Sequence, residues 1–283
     1  MKIFDCTTFY SEDLMLDVRF NILNPYVHKF IIVESLYSHS GRKKKLNFDI
    51  NKFSKFKDKI IYLVIEEEPS DIIKSENLSS GTKRMNSIKR IEQSYNYMMK
   101  GIKDAEDNDL ICLSDNDEIP NFETKHFQNS TSDIFIFEQL FFYYKFNLFY
   151  DLMPWYGTKA CKKKKLKSFA WLRNLKNKKY PFWRIDTYFS NLKQRKLQIV
   201  KDGGWHFTNV KTPEEIFEKL SNFGHHNEFE ESGITISDIE KNIENRIVDY
   251  DHSADLKKSN KYDSQYKLKI IDDKFLPNYL SSN

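Results

Sequence analysis

The chain has 283 residues, enough for a substantial core in one large or two small domains. With 40% hydrophobic and 15% aromatic residues it falls outside the intrinsically disordered class, whose chains lack the apolar surface to offset their ordering entropy. A net charge of +4, from 45 basic and 41 acidic residues spread along the sequence, creates no global field that demands a nucleic-acid partner.

From the N-terminus, "KIFDCTTF" reads as a short strand, and "SEDLMLDVRFNIL" sets Leu14, Met15, Val18, Ile22 and Leu23 at helical spacing behind a Ser11 cap. "KFIIVES" and "KIIYLVI" are apolar runs rich in β-branched residues, the pattern of parallel strands covered on both faces. "SIKRIEQSYNYMMKGIKD" places Ile88, Ile91, Tyr95, Met98, Met99 and Ile102 on one helical face that ends near Gly101. "DLICLSD" is a fourth buried-type strand. Four such strands with helical segments among them predict an α/β fold with a mostly parallel sheet, whose ligands bind beyond the carboxyl ends of the strands.

Downstream, "DIFIFEQLFFYYKFNLF" reads as two aromatic-rich strands and "GGWHFTNV" as another strand or turn. "TPEEIFEKLSNF" has the Thr212 cap and first-turn Pro213 of a helix start, and Ile236, Ile239, Ile243 and Ile247 mark a further helix. Beyond about residue 250 the pattern weakens into a polar tail, 251–283. Cys6, Cys112 and Cys161 lack metal-ligand spacing, and two fall in apolar runs, as expected of buried thiols in a reducing compartment. No long apolar segment marks a signal peptide or membrane span, so the expected location is cytoplasmic. The run Lys162, Lys163, Lys164 and Lys165 suits a solvated loop or peripheral contact with anionic lipid headgroups.

The chemistry concentrates in "DLICLSDNDEIP", residues 109–120. In an extended segment Asp115 and Asp117 would point the same way, with Asn116 opposed, and form a hard oxygen site suited to Mg²⁺ or Mn²⁺. A solvated acidic turn is the bland alternative. An EF-hand loop starting at Asp115 would require Gly and Glu where Pro120 and His126 stand. A phosphatase of the haloacid dehalogenase type is a poor match, since its D-x-D usually ends the first strand.

Four segments, "DLMLDVRFNILNPYVHKFIIVES", "SGRKKKLNF", "LSDNDEIP" and "GWHFTNVKTPEEIFEKL", occur in this order between roughly residues 3 and 250. Together they resemble glycosyltransferase family 17, the family of the N-acetylglucosaminyltransferase that adds bisecting GlcNAc to N-glycans. The resemblance implies a GT-A-like (Rossmann-like), single-domain α/β fold over residues 1–250. It also implies metal-dependent inverting transfer from a nucleotide sugar, UDP-GlcNAc by analogy, to a glycan or lipid-linked saccharide. In this reading Asp117 and His206 bind Mn²⁺ or Mg²⁺, and Asp115 contacts the ribose or reaches the metal through water. Asp5 and Glu34 sit at strand ends that hold the nucleoside, and Asn96 keeps a family-like polar position, whereas Tyr95 replaces a basic residue common in relatives. Glu118 is either a cap of the turn or a support for the metal ligands. Trp155 and Trp205 are candidates for sugar stacking or for core. Inversion needs a general base on the acceptor hydroxyl, for which Glu228 is the first candidate and Asp151 and Asp186 the alternatives. Asp17 and Arg19 are expected to be structural. Two competing classes are a carbohydrate- or membrane-surface-binding protein without turnover and a metal-dependent phosphohydrolase.

Overall fold

The computed structural model describes residues 1–223, 226–252 and 261–281. Its first half is built as the apolar runs dictate. β1 (Ile3–Thr8), α1 (Asp13–Leu23), β2 (Lys29–Ser35), β3 (Ile60–Ile65), α2 (Ser80–Tyr97) and β4 (Leu110–Ser114) form a sheet in which β3, β2, β1 and β4 lie side by side, all parallel. Ile31, Ile32 and Val33 of β2 and all of β4 are buried, because helices cover both faces there. β3, read from sequence as equally buried, is the edge strand and stays half-exposed over most of its length.

The second half adds β5 (Glu118–Pro120), α3 (Lys125–Gln128), β6 (Ile134–Phe137), β7 (Leu140–Tyr143), β8 (Leu148–Phe149), β9 (Lys159–Lys162), α4 (Phe169–Asn174), β10 (Gln198–Val200) and β11 (Gly204–Thr208). β9 joins the first sheet antiparallel between β4 and β6, and β10 closes its edge beside β6. α5 (Pro213–Asn222), α6 (His226–Ser232) and α7 (Ile236–Asn245) follow, then β12 (Ile247–Val248), β13 (Tyr266–Lys267), β14 (Lys269–Ile270) and α8 (Asn278–Ser281). A second sheet runs β14, β8, β7, β11, β5. The expected α/β class with a mostly parallel sheet flanked by helices is what the structure has.

Several local expectations change. α1 starts after Glu12 instead of Ser11, since the Glu12 carboxylate accepts the backbone N–H groups of Tyr10 and Ser11. Leu14 faces solvent, while Leu16, Arg19 and Phe20 fill the inner face. α2 begins at Ser80, capped by Ser79; its first two turns are polar and carry no periodic signal. Thr212 does cap α5, with Glu215 completing a capping box. Ile247 lies in β12, outside α7. Of the predicted polar tail, residues 253–260 and 282–283 lie outside the described residues; the rest packs onto the molecule. β14 pairs with β8, Leu268 and Leu276 are buried, and Tyr279 donates its hydroxyl to Asp17 (3.0 Å). All three cysteines are buried and unpaired, and among the described residues no helix is long and apolar enough to cross a membrane.

Candidate functional site

The acidic motif is a turn, so strict alternation does not hold in it: the Glu118 N–H donates to the Asp115 carbonyl (3.0 Å). Arg19, fully buried on α1, shapes this turn from behind. Its guanidinium forms a bidentate pair with Asp5 (Nε to Oδ2 2.7 Å, Nη2 to Oδ1 2.5 Å) and donates through Nη1 to the carbonyls of Asp115 (3.3 Å) and Glu118 (2.7 Å). Asp5 therefore positions Arg19 rather than meeting a ribose, and Arg19 is not matched with Asp17. Glu118, also fully buried, accepts the Asp115 N–H (2.8 Å), the Trp155 indole N–H (2.8 Å) and Arg173 Nη1 (2.9 Å). It ties the turn to the segment before β9 and to α4, and Gly157 must lack a side chain because a Cβ there would meet the Glu118 carboxylate and come within 2.6 Å of Trp155 Nε1.

Strand pairing brings the second motif to the first. β5 and β11 are antiparallel with His206 opposite Glu118, and the Phe207 N–H donates to the Asp117 carbonyl (2.8 Å). Gly204 allows this approach: it has φ +123°, and a Cβ would collide with the Ile119 carbonyl. His206 Nε2 then stands 3.5 Å from Asp117 Oδ1, and Lys219 Nζ on α5 is 3.4 Å from Asp117 Oδ2. Burial alone would raise the Asp117 carboxyl, but the Lys219 charge and the hydrogen bonds from Lys219 and His206 outweigh it and hold the group well below the usual carboxylate range. Asp115 shifts upward through burial despite Arg173 Nη2 at 2.7 Å, and it also accepts the Tyr95 hydroxyl (3.0 Å). Tyr95 thus contacts the motif directly.

Asp115, Asn116 and Asp117 open into a cavity of ≈520 Å³. One side is made by the carboxyl ends of β1, β2 and β4, with Thr8, Ser35 and Ser38, as the parallel sheet predicts. The other is aromatic and aliphatic: Tyr143, Trp155, Ile216, Phe229 and Ile239, with Asp249, Tyr250 and His252 from the segment after α7. Tyr144 (φ +66°) and Asn209 (φ +56°), at the ends of β7 and β11, both line the cavity; left-handed backbone is strained for a bulky tyrosine and gathers at functional sites. Trp155 stacks on His206 at 4.4 Å and 23°, which makes it a wall of the site. Trp205 instead packs against the apolar core that holds Ile119, Phe142 and Phe207, and donates its indole N–H to the Phe275 carbonyl.

Among the described residues no three His, Cys, Asp or Glu side chains gather as a metal cluster. Asp117 and His206 nevertheless make a two-ligand seat of the right chemistry: an ionised carboxylate beside an imidazole, with substrate phosphates and water able to complete the shell. Asp115 does not join them, since Arg173 and Tyr95 hold its oxygens. His206 Nδ1 is buried without a hydrogen-bond partner, so no protein acceptor fixes the tautomer that frees Nε2 for a cation.

The remaining sequence candidates are dispersed. Glu34 is buried under the 44–48 loop, where it accepts Lys44, the Tyr62 hydroxyl (2.7 Å) and the N–H groups of Asn47 and Phe48, and it does not line the cavity. Asn96 is exposed on α2 and accepts the Ala170 N–H (3.1 Å), a cap of α4 instead of a donor contact. Glu228 pairs with Arg84 (2.8 Å); Arg84 lines the cavity and Glu228 does not. Asp151, just after β8, binds Tyr266 of β13 and Lys269 of β14, the strand at the edge of the second sheet, and Asp186 pairs with Arg184 and Lys193 on an exposed loop. Neither lines the cavity, and both are ion-paired elsewhere, so neither serves as the base. Sequence reasoning missed Lys219, Arg173, Asp249 and His252. The cap of α5 was the one signal that placed Lys219 on a helix, and the others lie in stretches without periodicity.

The fold and the charged crevice at its strand ends define an α/β protein with a ligand-sized cavity at the carboxyl ends of its parallel strands. The sequence model of glycosyltransferase family 17 matches residues 1–256, and the chain belongs to that family. It is therefore a glycosyltransferase by family, with a sugar donor and an acceptor as its substrates. No curated protein matches the chain. Among solved structures, the inositol-1-phosphate CTP transferase from T. maritima is similar over 78% of this chain and 95% of its own, at 10% identity and a TM-score of 0.35.

Proposed function

We propose that this protein is an inverting glycosyltransferase that uses a nucleotide-sugar donor, UDP-GlcNAc by family analogy, and transfers the sugar to a glycan or lipid-linked saccharide. The observation that carries the reading is the ionised Asp117 beside His206 at the mouth of β4, inside the cavity, in a chain of this family. The β1, β2 and β4 ends receive the nucleoside. Asp117 and His206 would hold Mn²⁺ or Mg²⁺, which when bound supplies charge neutralisation for the departing diphosphate. Lys219 adds fixed positive charge from α5, Arg173 keeps Asp115 oriented, and Trp155 holds the His206 ring by stacking.

Asp249 takes the base role in place of Glu228, Asp151 and Asp186. It lines the cavity, is held by the amides of Asn242 and Gln265 instead of a cation, and burial raises its carboxyl pKa, the direction a general base needs. The location proposed is cytoplasmic, with peripheral contact to anionic lipid through Lys162, Lys163, Lys164 and Lys165, which would bring the enzyme to a lipid-linked acceptor.

The test is release of UDP from UDP-GlcNAc with and without Mn²⁺. Wild type should turn over with the metal, and Asp249→Asn should retain donor binding while losing about a hundredfold or more in kcat. Release of phosphate from simple esters without any UDP product would favour a phosphohydrolase and contradict this reading.

A further inference from the structure

Residues 162–196 contain thirteen Lys and Arg and a single acid, Asp186, so the rest of the chain is net acidic. Within this stretch the sequence "YPFWRIDTYF" carries the most exposed large apolar side chains of the second half: Phe182 at 73%, Trp183 at 67%, Ile185 at 70%, Tyr188 at 65% and Phe189 at 86%. Five such residues in eight positions amount to a contiguous patch, which a lone surface leucine does not. Lys176, Lys178, Lys179 and Arg184 are exposed around it.

The patch is carried on an anchored loop. Trp171 of α4 donates its indole N–H to the Asn191 carbonyl (2.8 Å), the Lys176 N–H donates to the Leu192 carbonyl (3.0 Å), and Thr187 is buried with its hydroxyl on the Arg184 carbonyl (2.6 Å). Lys167 Nζ reaches Asn191 Oδ1 (2.7 Å), which makes the patch continuous with the lysine run that starts at Lys162. The loop follows α4, whose Arg173 lines the cavity.

We infer that residues 176–196 form a docking surface for an anionic lipid bilayer, with Phe182, Trp183 and Phe189 entering the interface and the surrounding lysines and arginines on the headgroups. The chemistry matches a membrane interface, where aromatic rings sit at headgroup depth and basic residues flank them. Phe182 and Trp183 stand edge to face at 81°, and Ile185 and Pro181 lie among them, so the rings do not form the parallel platform that stacked bases require. This surface is distinct from Lys162–Lys165 alone, and it does not depend on the transfer reaction proposed above.

The experiment is co-sedimentation of the full chain with vesicles of phosphatidylcholine and of phosphatidylcholine mixed with phosphatidylglycerol, with tryptophan emission recorded in parallel. Wild type should bind the anionic vesicles, lose binding as salt rises and shift its emission to the blue. Phe182→Ser/Trp183→Ser/Phe189→Ser should weaken binding about tenfold or more. The single variant Trp183→Ala, too exposed to disturb folding, should weaken it in the same direction. Wild type that ignores anionic vesicles, variants that bind as wild type does, retention by an oligonucleotide but not by vesicles, or burial of the patch in a dimer would each overturn the inference.

Discussion

At the acidic turn every carboxylate has a neighbour that answers it: Arg19 for Asp5, Arg173 for Asp115 and Glu118, Lys219 and His206 for Asp117. The 162–196 segment has thirteen Lys and Arg and one acid of its own; Arg173 and Lys162 find carboxylates outside it, while around residues 176–189 exposed cations stand beside large apolar side chains in solvent. The two regions obey the same physics from opposite sides. A buried charge without a partner costs several kcal/mol, so the core of the site is a closed network. A surface cation costs little, so an excess of them beside exposed aromatics persists only where something outside the chain makes use of it.

This contrast can be broken in graded steps. The largest effect is expected for Arg19→Met, which strands Asp5 in the core and should cost about 3–5 kcal/mol in urea unfolding, with Arg19→Met/Asp5→Leu recovering most of it. His252 comes next. Burial lowers its pKa to about 3, so it stays neutral in the folded protein while the unfolded chain takes up a proton below about pH 6.5. Its contribution to stability is complete above that pH and is lost on acidification, at up to about 1.4 kcal/mol per pH unit; His252→Phe should flatten that part of the melting profile. Trp155→Phe removes the indole donor from buried Glu118 and should cost about 1–2 kcal/mol in the same unfolding assay. The smallest effect is expected for Lys162, Lys163, Lys164 and Lys165 changed to Ser, which should leave stability within about 0.5 kcal/mol and reduce vesicle binding less than loss of the aromatics does.

Much of this molecule is legible in its sequence where the signal is local. The apolar runs at 29–35 and 110–114 are strands because both faces are covered, and Thr212 with Pro213 marks α5 by its own hydrogen bonds. The acidic turn and "GWHF" are also visible as motifs, and β5–β11 pairing brings them together across the intervening chain. What sequence could not reveal is pairing. Asp5 and Glu34 have the residue type of nucleoside contacts, yet Asp5 lies in the middle of β1, and Arg19, Lys44 and Tyr62 claim the two carboxylates; nothing local in the chain announces those partners. Asp249 and His252 follow the last clear helix in a stretch with no periodicity, and only folding back of that stretch sets them in the cavity wall.

Asp117 is the residue proposed to hold the metal and diphosphate end of the donor, and calorimetric titration of UDP-GlcNAc in Mn²⁺ tests that role most directly. Wild type should bind the donor with the metal and lose most of that affinity without it, while Asp117→Asn, which keeps the shape of the turn but not its charge, should bind weakly in either condition. Asp117→Asn that binds the donor as tightly as wild type, with the same dependence on Mn²⁺, would contradict the account.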